Sequence, residues 1–212
     1  FVNQYYGDGI MALFLGDASQ GVRAAADMLH TLSQYNVERQ AKGRMPIQLG
    51  IGLHTGPLMM GIIGDQLRME AGVVSDTVNT ASRMEGLTKV FGVELLLSES
   101  CYQDLSLEQQ AYTRPLGRVL VKGRATPIAI YEAFIGSSAE LQAQKQASLS
   151  AYQAGLEAYF SGDLPHAQTQ LTQALVHYPD DRAAQYYLER TKSFLEHGLP
   201  QDWTGVEIMA FK

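Results

Sequence analysis

Thiol chemistry is all but missing from this chain. Cys101 is the only cysteine in 212 residues, so no intrachain disulfide can form and no thiolate zinc site can be assembled. A reducing, cytoplasmic setting is therefore expected. No apolar run approaches the roughly 20 residues that cross a bilayer, and no signal peptide with a small-residue cleavage site is visible. The chain opens without Met, already in strand-like sequence at Phe1-Val2-Asn3, so an upstream part, with any membrane anchor of the parent protein, is expected before it. Basic charge is short as well: 16 Lys and Arg stand against 22 Asp and Glu, a net charge of -6. With no basic stripe, a nucleic-acid partner is not expected, and any anionic ligand must be held locally. Also absent are Gly-x-x-x-x-Gly-Lys-Ser/Thr, His-Glu-x-x-His and Gly-x-Ser-x-Gly, which removes the common P-loop and hydrolase readings.

What is present is the make-up of a folded chain. An apolar share of 46% with 18% charged residues lies far from the composition of disordered sequences, and the length allows one to two domains. Phe1 to Tyr6 and Ile10 to Leu15 flank Gly7-Asp8-Gly9, a hairpin with Asp8 at its exposed tip. Apolar residues from Val22 to Tyr35 recur at helical spacing, which predicts an amphipathic helix from Ala18 to about Lys42, ended by Gly43. Met45 to His54 and Pro57 to Ile63 read as two buried strands joined through Thr55-Gly56 as a second hairpin, followed by a polar loop. Ser75 or Asp76 caps a helix running to about Phe91, where Gly92 stops it. Strands are expected at Val93 to Leu97, Tyr112 to Lys122 and Pro127 to Phe134, with a short helix near Glu99 to Leu105. Mixed strands and helices with several hairpins predict an α+β, ferredoxin-like sandwich around a largely antiparallel sheet with covering helices.

Beyond residue 136 the composition turns Ala-, Gln- and Leu-rich. Gly155, Ala167, Leu171, Ala174 and Pro179 fall at the offsets of a tetratricopeptide repeat. The chain is thus divided into a first domain over 1–136, an all-α, tetratricopeptide-like helical extension over 137–196 and a tail over 197–212. One and a half repeats cannot bury a core alone, so the extension should dock on something, and Trp203 and Val206 should anchor the tail to the body.

Four ordered segments carry the chemistry: YYGDGIMALF, LGIGLHTGPLMMGIIG, VSDTVNTASRMEGL and VLVKGRATPIAIYE. Seen singly, Asp8 makes an Asp-Gly turn, Asn79 and Arg83 sit four apart on one polar helix face, and Lys122 is a solvated turn lysine. Taken together over residues 1 to 135, the segments resemble the class III adenylate and guanylate cyclases. That resemblance implies a phosphorus-oxygen lyase that converts ATP to 3′,5′-cyclic AMP and pyrophosphate with two Mg²⁺ or Mn²⁺ ions, at the interface of a head-to-tail homodimer. It makes Asp8 a metal ligand, with Gly7 and Gly9 allowing phosphate to approach the hairpin. Asn79 orients the ribose, Arg83 steadies charge on the α-phosphate, and Lys122 contacts the β- and γ-phosphates.

Two departures from the family pattern bear on function. The first metal aspartate of the family lies on a strand expected upstream of Phe1, so one of the two protein carboxylates is missing here and turnover by this chain alone is expected to be slow or absent. The two base-reading positions hold Gln4 and Gly72, which match neither the usual adenylate nor the usual guanylate pair. ATP is preferred, because bacterial-looking members of the family are more often adenylate cyclases; GTP stays open. A degenerate domain that binds nucleotide or a partner as a regulatory module is the alternative to an enzyme, and the helical extension could recruit a protein partner. His54 reads as a packed or turn histidine, and Met59 and Met60 as core or interface filling.

Overall fold

The computed structural model describes residues 1–65, 68–121, 126–201 and 203–209, with side chains described outside 62–65, 68–74, 121, 208 and 209. Strands β1 (Val2–Tyr6) and β2 (Gly9–Ala12) form a hairpin that is a two-stranded sheet of its own. Its loop is Gly7-Asp8, with Tyr6 opposite Gly9. Gly7, not Gly9, takes the left-handed conformation (φ +62°), as the first loop residue of a two-residue hairpin with a Gly lead requires. Helix α1 (Ala18–Ala41) follows, capped by the Asp17 side chain on the Gln20 N–H and closed by Lys42 and Gly43.

The strand pairing around residue 55 corrects the sequence expectation. Strand β3 spans only Ile51–Leu53 and pairs in parallel with β6 (Leu95–Ser98), while β4 (Met59–Asp65) pairs antiparallel with β5 (Arg68–Val74). Thr55-Gly56 is therefore a passage between two sheets and not a hairpin turn, and part of the expected polar loop is strand. Local turn chemistry and an apolar run fit both arrangements; the choice depends on β6, some 40 residues downstream, which can bury both faces of its all-apolar Leu95-Leu96-Leu97 stretch only as an interior strand. Helix α2 (Asp76–Phe91) has Ser75 as its N-cap and Gly92 in the left-handed conformation at its end, as the sequence predicts. Short helices α3 (Glu99–Gln103) and α4 (Leu107–Gln110) lead into β7 (Thr113–Val121) and β8 (Ile128–Ala133).

Helices α5 (Ala139–Ser161), α6 (Leu164–His177) and α7 (Arg182–His197) come next, and the tail ends in β9 (Glu207–Met209). The main sheet runs β3-β6-β8-β7-β9. Its β6-β8 and β8-β7 ladders are antiparallel, whereas β3-β6 and β7-β9 are parallel. The sheet is thus mixed, where a largely antiparallel one was expected, because β3 joins it in parallel at one edge and the tail adds at the other a parallel strand of only three residues, too short to announce itself in the sequence.

Two apolar clusters flank the sheet. On one side Val22, Ala25 and Leu29 of α1 meet Leu95, Leu97, Ala133 and Cys101. On the other, Met84, Leu87 and Phe91 of α2 join Leu96, Leu116 and Ile130 of the sheet to Tyr152, Leu156, Tyr159, Leu171 and Tyr187 of the three C-terminal helices. The helices find on this sheet the surface that they need to bury their apolar side. Gly155 lets α6 close on α5, since a Cβ there would lie 2.8 Å from Leu171 Cγ.

Four buried charges tie the layers together. Arg114 Nε donates to Glu132 (2.6 Å) and its Nη2 to Asp181 (2.9 Å), while Lys145 donates to the other Glu132 oxygen. Asp181 also accepts from the Ala183 and Ala184 N–H groups at the start of α7. Burial by itself would raise the Glu132 carboxyl, but Arg114 and Lys145 outweigh it and hold the group below its ordinary value. The tail is held by Glu207, which accepts from the Tyr159 and Tyr186 hydroxyls and from Arg190, and by Trp203, packed edge-on against Tyr159 and Phe194.

Candidate active site

Asp8 lies exposed at the tip of the β1-β2 hairpin. Gln4, three residues before the Gly7-Asp8 loop, is also exposed, and its Oε1 accepts from the Tyr6 hydroxyl at 2.8 Å. Gly72 sits on β5 opposite Gly61. Lys122 falls outside the described residues; β7 ends immediately before it, at Val121.

Asn79 and Arg83 stand on successive turns of α2, Asn79 exposed and Arg83 half-buried. Their helix is fixed by its opposite, apolar face: Met84, Leu87 and Phe91 are buried against the sheet and the C-terminal helices. Arg83 Nη1 is buried and has no hydrogen-bond partner among the described residues. A sheltered guanidinium nitrogen without an acceptor is rare in folded proteins and is the kind of group that an anionic oxygen would satisfy. Among the described residues no hydrogen bond or ion pair joins Asp8 to Asn79 or Arg83, so the site residues are held on two separate elements.

The described residues hold no cluster of three or more His, Cys, Asp or Glu side chains. Asp8 is a single exposed carboxylate, which fits one protein ligand of a Mg²⁺ ion whose remaining positions are filled by substrate phosphates and water. No helix among the described residues is long and apolar enough to cross a membrane.

One group was harder to read in the sequence. His54 Nδ1 shares a hydrogen bond with Ser98 Oγ (2.9 Å), Ser100 Oγ donates to the Thr55 carbonyl (3.0 Å), and Thr55 Oγ1 contacts Cys101 Sγ (3.1 Å). The histidine is packed at the end of its strand, as expected. On the other side of the same loop, the Pro57 carbonyl accepts from Ser75 Oγ (2.7 Å) and Thr77 Oγ1 (2.6 Å). No local pattern signals this arrangement, because its partners lie about 20 and 45 residues apart.

The α+β fold thus combines a mixed sheet, an exposed acidic hairpin tip and a helix carrying an amide and a guanidinium. The family described as the adenylate and guanylate cyclase catalytic domain matches residues 7–133, and the chain belongs to it. It is 40% identical over 138 residues to an adenylate cyclase of Anabaena cylindrica, covering 62% of this chain and 28% of that protein. It is 32% identical over 135 residues to adenylate cyclase 1 of Rhizobium meliloti, covering 61% and 20%. The chain thus spans less than a third of the length of these relatives. Among solved structures, a bacterial light-regulated adenylyl cyclase shares the fold, with a TM-score of 0.53 at 20% identity over 70% of this chain and 44% of that one. A guanylyl cyclase crystal structure also superposes with a TM-score of 0.53, at 25% identity over 63% and 68%. The chain therefore carries a nucleotide cyclase catalytic domain, of a family that generally uses divalent metal ions and typically dimerises.

Proposed function

We propose that this domain converts ATP to 3′,5′-cyclic AMP and pyrophosphate in a homodimer whose two protomers share each site. Asp8 of one protomer would hold the divalent ion, and Asn79, Arg83 and Lys122 of the other would hold ribose and phosphates. Bound Mg²⁺ or Mn²⁺ would supply charge neutralisation at the phosphates and a more acidic 3′-hydroxyl. Asn79 would orient the ribose so that its 3′-oxygen faces the α-phosphorus, a positioning contribution. Arg83 would donate to the α-phosphate oxygens as their charge is redistributed, and Lys122 would hold the β- and γ-phosphates. The observation that carries this reading is the unpartnered, sheltered Arg83 nitrogen one turn from Asn79 on a helix otherwise spent on packing. Exposed apolar side chains on the two hairpins, Tyr5 and Met59 among them, support an association surface.

The adenylate preference rests on the Anabaena and Rhizobium relatives, both named adenylate cyclases. Gln4 favours neither purine: with Oε1 engaged by Tyr6, its amide can donate to N1 of adenine or to O6 of guanine. Guanylate cyclase activity is accordingly the second reading. We also read α5 and α6 as tetratricopeptide-like; their apolar side faces the sheet, so a protein partner would meet their outer surface. The test is turnover of the full-length protein with ATP and GTP under Mn²⁺. Cyclic AMP is the expected product, cyclic GTP-derived product alone would reassign the purine, and no cyclic product from either would leave a regulatory module.

A further inference from the structure

We infer that the loop from His54 to Pro57 is a bracket that positions the start of α2, and that Thr77 is a positioning residue for Asn79 and Arg83; the inference rests on the cyclase reading of those two residues. The loop is secured from below at the corner between β6 and α3. His54 shares its hydrogen bond with Ser98, and Ser100 donates to the Thr55 carbonyl. Ser98 itself is buried and is the N-cap of α3, so this corner is a fixed point of the core.

From above, the loop offers one carbonyl, that of Pro57, and the first turn of α2 brings two hydroxyls to it. Ser75 is the N-cap, accepting from the Thr77 N–H at 3.0 Å while donating to Pro57 O at 2.7 Å. Thr77 donates to the same oxygen at 2.6 Å. A hydroxyl already committed to capping and a second one two residues later thus share an acceptor in another sheet's loop, which fixes both the position and the rotation of the helix start. Asn79 lies two residues beyond Thr77, and Arg83 one further turn along. A rotation of the first turn would carry both groups away from a common point by distances that phosphoryl chemistry does not tolerate.

Gly56 shows how closely the bracket fits. A Cβ at that position would lie 2.7 Å from Thr77 Oγ1 and 3.6 Å from His54 Nε2, so any side chain there would push Thr77 off the loop. The absence of a side chain at residue 56 is thus matched to the hydroxyl at residue 77. Thr77 is the cleaner probe of the pair of hydroxyls, since Ser75 also caps the helix and its loss would weaken α2 generally.

Three variants of the full-length protein test this: Thr77→Val, which keeps shape and loses the hydroxyl, Thr77→Ser, which keeps the hydroxyl, and Gly56→Ala, which leaves both hydroxyls but fills the gap. Thr77→Val and Gly56→Ala are each expected to lower kcat about tenfold, the loss of roughly one hydrogen bond's net worth, with KM for ATP within about twofold of wild type. Thr77→Ser should restore kcat to within about threefold. Amide hydrogen exchange over residues 76–80 should quicken in Thr77→Val and Gly56→Ala and not in Thr77→Ser, with the melting temperature little changed. Wild-type kcat and exchange in Thr77→Val, or a Thr77→Ser variant as impaired as Thr77→Val, would overturn the inference. If the wild-type protein makes no cyclic nucleotide, the cyclase reading falls, and the exchange comparison alone decides whether the bracket holds α2: unchanged protection in Thr77→Val overturns it, and faster exchange sustains it.

Discussion

The two ends of this chain are built on opposite terms. At the C-terminal end Tyr152, Tyr159 and Tyr187 are fully buried, and four charges are sealed between the sheet and α5 to α7. At the N-terminal end the β1-β2 hairpin stands as its own small sheet, with Tyr5 and Tyr6 exposed to 69% and 56%. Of the residues proposed for the chemistry, Asp8 and Gln4 lie on the lightly packed hairpin, and Asn79 and Arg83 lie on the face of α2 away from its buried Met84, Leu87 and Phe91. On the proposed reading, the scaffold is complete within a single protomer while the site needs a second one.

The largest effect expected from that separation is on folding. Ending the chain after Gly136 would uncover Leu116, Ile130 and Phe91 and leave Arg114 and Glu132 without Lys145 and Asp181. The loss should exceed the whole of a typical domain's stability of about 5–15 kcal/mol. Circular dichroism of the shortened chain should show no cooperative melt; a cooperative one would mean that the helices are an addition and not a layer of the core.

Next in size is Asp181→Ala, which leaves the Arg114 guanidinium buried with only Glu132 and also removes the cap on α7. It should cost about 3–5 kcal/mol, read as a shift in urea midpoint. Asp181→Asn keeps a capping oxygen, so the difference between the two variants isolates the charge. Arg83→Ala sharpens the contrast from the other side. Its Nη1 has no hydrogen-bond partner among the described residues, so unfolding should barely move, whereas kcat should fall on the order of 10²-fold or more. A variant that melted early yet kept its rate would assign Arg83 to the scaffold instead.

Acidification probes the buried charges again, with a smaller effect. Glu132 has its folded-state value depressed below the ordinary 4.5 by Arg114 and Lys145, which outweigh burial. Its contribution is therefore present in full above about pH 4.5 and is lost as pH falls through the lower folded value. Thermal melts between neutral pH and pH 3 should show that loss, and Glu132→Gln, less stable at neutral pH, should show a flatter acid limb. Equal acid sensitivity in both proteins would place the responsible carboxylates elsewhere.

The legibility of these parts from sequence follows the range of the interactions that make them. Helices α1 and α2 were readable because their caps, Ser75, Gly43 and Gly92, and their apolar spacing are local signals. The family was readable because the order of the segments around the hairpin tip and α2 matches it; the roles proposed for Asp8, Asn79 and Arg83 come from that order. The partner of β3 was not: Thr55-Gly56 carries turn chemistry, and only the distant Leu95-Leu96-Leu97 stretch decides that β3 pairs there. Nor could Asp181, 67 positions from Arg114, be seen as a counter-ion, since it looks like any residue that starts a helix. The Pro57 carbonyl is invisible for a simpler reason: a backbone oxygen has no signature in sequence.

The smallest effect is expected at an exposed charge of the same helix. Lys89 stands on α2, on the same helix as Arg83, and reaches Glu85 at 4.0 Å with its side chain 81% exposed. Such i,i+4 pairs on a solvated surface are worth at most about 0.5 kcal/mol, because water screens the attraction and two long side chains must be ordered to make it. Lys89→Ala should therefore leave both the melting curve and kcat within error of wild type. If removing this charge slowed turnover as much as removing Arg83, the effect of Arg83 would be one of net charge on α2, and the sheltered nitrogen at Arg83 would lose its claim on the phosphate.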